Sequence, residues 1–266
     1  VRELCRRLNV ELVELYPEQD ARFPNHEANP AKEETLADVK AAVIREGADF
    51  GIALDGDADR IKFIDNEGNS LRGDLALALF ARDALKQQPG AKIVVASNQS
   101  WTTFETVKQN GGFAIECPIG RKFGIEAVKN QHAVLGGEVS GHLFFEAFHG
   151  LESVDYAFVL ALSIWKRSGQ TFATLVSDLR KYSNSGEVNI EVHDKQKVLD
   201  KLEQYAASAS KINRLDGIRC EFDHDWWFIV RASNTEPLLR LTVEATSEAL
   251  MEEKRDELVA FIKQNA

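Results

Sequence analysis

The segment Leu54-Asp55-Gly56-Asp57-Ala58-Asp59-Arg60 sets three carboxylates at alternate positions directly after an apolar run. In a flat strand, side chains two residues apart lie roughly 6.6 Å from each other along one face. That is too wide for one shared ion, whose oxygen ligands sit about 2.1 Å from a magnesium centre. Gly56 and Ala58 let the backbone curl until the carboxylates of Asp55, Asp57 and Asp59 converge. Hard oxygen ligands suit Mg²⁺ better than zinc, which prefers nitrogen and sulfur. The same residues also fit a solvated acidic turn. A calcium EF-hand does not fit, because Arg60 stands where that loop needs glycine and Asn66 where it needs glutamate.

Two further loops carry chemistry. Gly136-Gly137-Glu138-Val139-Ser140-Gly141-His142 offers a carboxylate, a hydroxyl and an imidazole among glycines. Such a loop lets backbone approach a ligand closely while short polar groups take its hydroxyls. A plain glycine-rich turn is the alternative. Arg231-Ala232-Ser233-Asn234-Thr235-Glu236-Pro237, with Arg240 shortly after, sets hydroxyls, an amide and backbone N–H groups between arginines. That set suits a phosphate dianion, since arginine gives bidentate charge-assisted bonds and a short loop gives a nest of donors. An ordinary polar turn seldom carries arginine at both ends.

The elements that must position these loops alternate between strand and helix. Residues 11–15 read as a short strand and 16–29 as a polar loop. Pro30 then opens a helix to about residue 46, capped by Asn29. Residues 49–54 and 61–65 read as strands flanking the acidic loop, with a turn at 66–69. Helices follow at 73–87, 101–110 and 121–130, and strands at 92–97, 113–117 and 133–136. This order predicts βαβ units and mainly parallel sheets, with ligands gathered at the carboxyl ends of strands. Helices at 153–168 and 171–181 close that part, and 182–187 (YSNSGE) reads as a linker. Beyond it a strand, a helix, adjacent strands near 217–222 and 226–230, another strand and a terminal helix form a smaller α+β domain. No internal repeat or low-complexity tract is found.

Composition narrows the function. The 32 Lys and Arg against 42 Asp and Glu give a formal charge of −10. That excludes a general polyanion binder, and no basic run supports nucleic-acid binding. Cys5, Cys117 and Cys220 are odd in number and lack metal spacing, which fits a reducing cytoplasm. No apolar stretch reaches about 18 residues, so no membrane span is expected. Neither a P-loop nor a GxGxxG sequence is present. The opening VRELCRRL reads as the middle of an amphipathic helix, so the chain is expected to be a fragment.

The acidic loop, the GEVSGH loop and the RASNTEP loop, in that order, resemble the α-D-phosphohexomutase superfamily. The asparagine of RASNTEP and the Leu15-Tyr16-Pro17-Glu18 to Phe23-Pro24-Asn25-His26 segment resemble its phosphomannomutase/phosphoglucomutase branch. The resemblance implies mixed α/β domains around a cleft: part of domain 2 at residues 1–70, domain 3 at 71–182 and domain 4 at 183–266. It implies that Asp55, Asp57 and Asp59 bind Mg²⁺ and that Arg60 reaches the reacting phosphate or sugar. Glu138 and Ser140 would hold sugar hydroxyls, with His142 lining that loop. Arg231, Ser233, Asn234, Thr235 and Arg240 would clamp the non-reacting phosphate of a hexose phosphate. In the family a phosphoserine donates its phosphoryl group, a bisphosphorylated sugar turns over, and 1- and 6-phosphosugars interconvert.

Two departures stand out. The family's serine followed by His-Asn-Pro is absent, so domain 1 and the opening strand of domain 2 are expected to be missing. In Cys117-Pro118-Ile119-Gly120-Arg121-Lys122, Arg121 stands where many relatives have a histidine acid/base. Arginine stays protonated near neutral pH and cannot replace it, so Arg121 or Lys122 is expected to bind phosphate, unless this is only a basic helix start. The competing readings are a non-catalytic phosphosugar-binding protein, a phosphoglucosamine mutase, and a phosphatase using Asp55 or Asp57 as nucleophile. Preference between mannose and glucose phosphate and the oligomeric state are not legible.

Overall fold

The computed structural model describes residues 1–18, 20–233 and 236–266. After helix α1 (Arg2–Leu8), the chain runs without regular structure to a 3₁₀ turn at Glu33–Leu36 that leads into α2 (Ala37–Glu46). Strands β1 (Phe50–Leu54), β2 (Ile61–Asp65) and β3 (Ser70–Leu71) then form an antiparallel sheet in that order. The acidic loop is the connection between β1 and β2.

Helix α3 (Gly73–Gln87) is apolar almost all round, from Leu75 to Ala81, and is buried accordingly. It precedes β4 (Lys92–Ala96), α4 (Trp101–Gln109), β5 (Phe113–Cys117), α5 (Arg121–Gln131), β6 (Leu135–Gly137) and β7 (Leu143–Phe145). The sheet order is β5-β4-β6-β7, with β4 parallel to β5 and β6 and only β7 antiparallel. Residues 93–96 (IVVA) are buried on both faces, as a covered parallel strand requires. Helices α6 (Val154–Ser168) and α7 (Phe172–Ser177) follow.

The last part holds β8 (Ser183–Asn184), β9 (Val188–Glu191), α8 (Lys195–Tyr205), β10 (Lys211–Asn213), β11 (Ile218–Phe222), β12 (Trp226–Ala232), β13 (Leu238–Ala245) and α9 (Glu248–Asn265). Its sheet runs β10-β11-β12-β13, with β8 and β9 both pairing with β13, antiparallel throughout. One buried core extends from Cys5 to Leu179, and a second from Ile190 to Ile262.

The mixed α/β class stands, with these differences of detail. The βαβ units lie within residues 92–137, whereas the first sheet is antiparallel because its strands are joined by short hairpin connections, which suit no parallel pairing. Residues 11–15 find no partner strand, and Leu12, Val13 and Leu15 stay exposed. The helix expected from Pro30 begins as α-helix only at Ala37, after the 3₁₀ turn, although Asn29 Oδ1 accepts Ala31 N–H as a cap would and also accepts Arg60 Nη1. The helix after Thr171 stops at Ser177, and Arg180 reaches over to Asp65 and the Ser70 carbonyl. The linker at 182–187 is partly sheet, as β8 pairs with Glu244 and Ala245. Among the described residues no helix is long and apolar enough to cross a membrane.

Candidate functional site

The acidic loop closes on itself. Ala58 adopts a left-handed conformation at φ 57°, and its N–H reaches the Asp55 carbonyl at 3.2 Å. A left-handed alanine costs about 1–2 kcal/mol. In return, ligand oxygens of Asp55, Asp57 and Asp59 come within 4.8 Å of one another. Asp55 is buried; its Oδ1 accepts the N–H groups of Asp59 and Arg60, each at 3.1 Å, and its Oδ2 accepts Arg60 Nε at 2.6 Å. Arg60 Nη1 is tied in turn to Asn29.

The electrostatics of buried Asp55 and partly buried Asp59 differ in sign. Burial pushes Asp55 upward, but the Arg60 guanidinium and N–H outweigh it and leave the carboxyl below its usual range. Asp59 is pushed above that range, first by burial and then by the neighbouring Asp55 and Asp57, against the attraction of His142. A cluster of three carboxylates with one disfavoured anion is a fit for a hard divalent cation, whose charge would relieve the repulsion.

The GEVSGH loop connects β6 to β7 and lies directly against the acidic loop. Arg60 and His142 form an antiparallel bridge, and Ile61 N–H donates to the Gly141 carbonyl at 3.2 Å. Gly141 is required there: its φ is 103°, and a Cβ would sit 2.8 Å from the Ile61 carbonyl oxygen. Buried Glu138 accepts Ser140 Oγ at 2.9 Å and Gly120 N–H at 3.0 Å. His142 stacks on Phe144, with Nδ1 3.2 Å from Glu152 Oε1 and 3.9 Å from Asp59 Oδ1.

Arg121 belongs to this cluster and Lys122 does not. Arg121 grips Glu152 in a bidentate pair at 2.5 and 2.9 Å and lies 3.6 Å from Asp59. Lys122 is exposed, and its nearest carboxylate is Glu126 at 3.9 Å. Glu152, with its side chain only 4 % exposed, was not foreseen; together with Asp59 and His142 it makes a second close donor group. Cys117 is buried, and that burial, then the carboxylates of Glu138, Glu116 and Asp216, push its thiol up to about 12.

At the other end, Arg231 and Arg240 stand opposite each other on β12 and β13. Like charges in register repel, and Glu187 separates them, 3.1 Å from Arg231 Nη2 and 3.2 Å from Arg240 Nη1. Ser233 is buried, its Oγ accepts Glu236 N–H, and its carbonyl accepts Lys195 Nζ at 2.8 Å. Asn234 and Thr235 lie outside the described residues. Glu187 and Lys195 were missed by sequence reading, as single charged residues distant from the motif.

Known proteins match this arrangement along the chain. Phosphoglucomutase/phosphomannomutase family models match in order: alpha/beta/alpha domain II over residues 1–68, alpha/beta/alpha domain III over 72–182 and the C-terminal domain over 187–261. A protein named phosphohexose mutases from Xanthomonas campestris pv. campestris is 37% identical over 259 residues, covering 97% of this chain and 58% of its own length. A phosphomannomutase of Methanocaldococcus jannaschii is 34% identical over 254 residues, covering 96% of this chain and 56% of its own length. A crystal structure of a phosphoglucomutase/phosphomannomutase family protein from Burkholderia thailandensis superposes with a TM-score of 0.90 at 31% identity, over 99% of this chain and 57% of that one. The chain thus spans little more than half the length of the relatives it matches. With matched domains in the same order as its three loops, the chain belongs to the phosphoglucomutase/phosphomannomutase family of the phosphohexomutase superfamily.

Proposed function

We propose that these residues form the metal, sugar and phosphate loops of a mutase that interconverts the 1- and 6-phosphates of mannose, glucose or both. The observation that carries this reading is the bridge between Arg60 and His142, which sets the acidic loop beside the GEVSGH loop. A sugar hydroxyl held by one loop then lies next to the charge gathered by the other.

Asp55, Asp57 and Asp59 would hold Mg²⁺, which when bound supplies Lewis-acid charge to a phosphoryl oxygen. Arg60 keeps Asp55 ionised and adds a fixed positive charge at the transferring phosphate. Its Nη2 carries none of the bonds to Asp55 or Asn29. Glu138, preset by Gly120 N–H and Ser140, accepts sugar hydroxyls, and Ser140 and His142 line the same wall. Arg121 faces the transferring group as a cation locked in place by Glu152. Arg231, Ser233, Arg240 and, from the sequence, Asn234 and Thr235 hold the non-reacting phosphate.

The proposed chemistry is phosphoryl transfer from a phosphoserine and back, through a bisphosphorylated sugar. No serine followed by His-Asn-Pro occurs in the 266 residues. These residues by themselves are therefore expected to bind hexose phosphate without turning it over. We read residues 1–70, 71–182 and 183–266 as the units bearing the three loops, and the compartment as cytoplasmic, in keeping with three free buried cysteines. Calorimetric titration with glucose 1-phosphate and mannose 1-phosphate in the presence of Mg²⁺, beside a coupled mutase assay, tests the reading. Binding lost in both Arg231→Ala and Glu138→Gln supports it; absence of hexose phosphate binding rejects the site, and turnover by these residues alone rejects the serine requirement.

A further inference from the structure

Side chains alternate strictly across the C-terminal sheet. Phe228, Val230, Leu241 and Val243 point into the core beneath α8 and α9. Residues of the opposite parity, Trp227, Arg231, Arg240 and Glu244, share the other face. Trp227 stands opposite Glu244, and Arg231 opposite Arg240. The two pairs are separated by four residues, about 13 Å along the strands. The phosphate clamp and the Trp227–Glu244 pair are thus two stations on one rigid ladder.

Glu244 is fully buried and accepts from five donors. Its Oε1 takes Ser100 Oγ at 3.0 Å, Trp101 N–H at 3.0 Å and Trp227 Nε1 at 2.9 Å. Its Oε2 takes Arg72 Nη2 at 3.3 Å and Asn184 Nδ2 at 3.2 Å. Arg219, also buried, lies 3.8 Å from the centre of the Trp227 ring and donates to the carbonyls of Ser97 and Gln99 at 2.7 and 2.8 Å. Residues 97–101, which lead from β4 into α4, are held by the sheet from this side. From the other side Gln99 Nε2 donates to the Gly137 carbonyl at 2.5 Å, at the root of the GEVSGH loop. Gly73, next to Arg72, lies so close to that loop that a Cβ would stand 2.3 Å from the Glu138 carbonyl oxygen.

We propose that Glu244 and Arg219 are positioning residues for substrate. By gripping residues 97–101 they align the Arg231–Arg240 clamp with Glu138 and Ser140, so that a hexose phosphate is held at both ends at once. A buried ion network is a poor source of stability compared with apolar packing of the same volume, but its directional bonds fix one geometry. This rests on the roles given above to the clamp and the GEVSGH loop.

The test compares two probes by calorimetry: inorganic phosphate, which needs the clamp alone, and glucose 1-phosphate, which needs both stations. Glu244→Gln keeps the size of the side chain but turns a donor toward Arg72 and Asn184. It is expected to bind inorganic phosphate as the parent does and glucose 1-phosphate about tenfold more weakly or worse. Glucose 1-phosphate affinity equal to the parent's, or equal losses for both probes in a folded variant, overturns the inference. Arg72→Gln, at a partly exposed position, is the second variant should Glu244→Gln not fold; the same split at about threefold is expected, and no split overturns the proposal. Phosphate binding unchanged in Arg231→Ala would reject the clamp itself, and with it this inference, whereas a normal clamp with no split rejects the inference alone.

Discussion

Arg121 and Glu152, 31 residues apart in the chain, form a two-bond ion pair in which the carboxylate is almost wholly enclosed. Glu152 sets the direction of the Arg121 guanidinium and also faces His142.

Removing that carboxylate leaves the half-exposed guanidinium to water and to Asp59, 3.6 Å away. Glu152→Ala is expected to lower unfolding free energy by about 0.5–1 kcal/mol, the scale of an ion pair with one partner in solvent. Urea denaturation followed by fluorescence of the tryptophans reads it out. A midpoint equal to the parent's would show the pair to be incidental.

The raised Asp59 carboxyl has opposite consequences with and without metal. A folded pKa above the unfolded one means that the ionised form destabilises the fold at neutral pH, and that this penalty fades as pH falls and Asp59 protonates. Asp59→Asn should therefore raise the melting temperature of the metal-free protein at pH 7 and have no such benefit at pH 3. Mg²⁺ affinity should fall in the same variant, and in the parent should weaken as pH drops from the range above ordinary carboxylates. A melting temperature lowered at pH 7 would contradict the sign.

Glu187 competes with any anion for the two arginines it separates. Glu187→Gln should tighten inorganic phosphate binding by about 0.5–1 kcal/mol, the scale of a half-exposed ion pair. Arg231→Ala should weaken it by about 1.5–3 kcal/mol. Equilibrium dialysis with labelled phosphate distinguishes the two directions, and weaker binding in the glutamine variant would make Glu187 an organiser instead of a competitor.

Gly141 lets two loops touch. With a φ of 103° and a carbonyl where a Cβ would stand, Gly141→Ala is expected to cost about 1–3 kcal/mol and to weaken hexose phosphate binding at Glu138. A thermal melt beside a glucose 1-phosphate titration decides it.

The parts of the site legible in the sequence were those whose chemistry is written in adjacent residues. Asp55, Asp57 and Asp59 announce a cation site because they alternate with small residues after an apolar strand, and the fold brings them together. Glu138 and Ser140 are legible for the same local reason. Glu152, Asn29 and Glu187 were not, since each is a single polar residue in a loop and gains its meaning from a partner at least 31 residues away. The antiparallel first sheet was misread for a related reason. Strand and helix spacing sets element type, whereas β1 pairs with β2 because a compact acidic loop joins them.

The backbone bridge between the acidic and GEVSGH loops also bears on how they move. Ile61 N–H is bonded to Gly141, Gly141 N–H to Glu138 and Glu138 N–H to the His142 carbonyl. Opening any one of these breaks the register that keeps the others closed, so the three amides belong to one cooperative unit. In native-state hydrogen exchange they should share a single opening free energy and gain protection together when Mg²⁺ is added, even though none of the three N–H groups belongs to Asp55, Asp57 or Asp59.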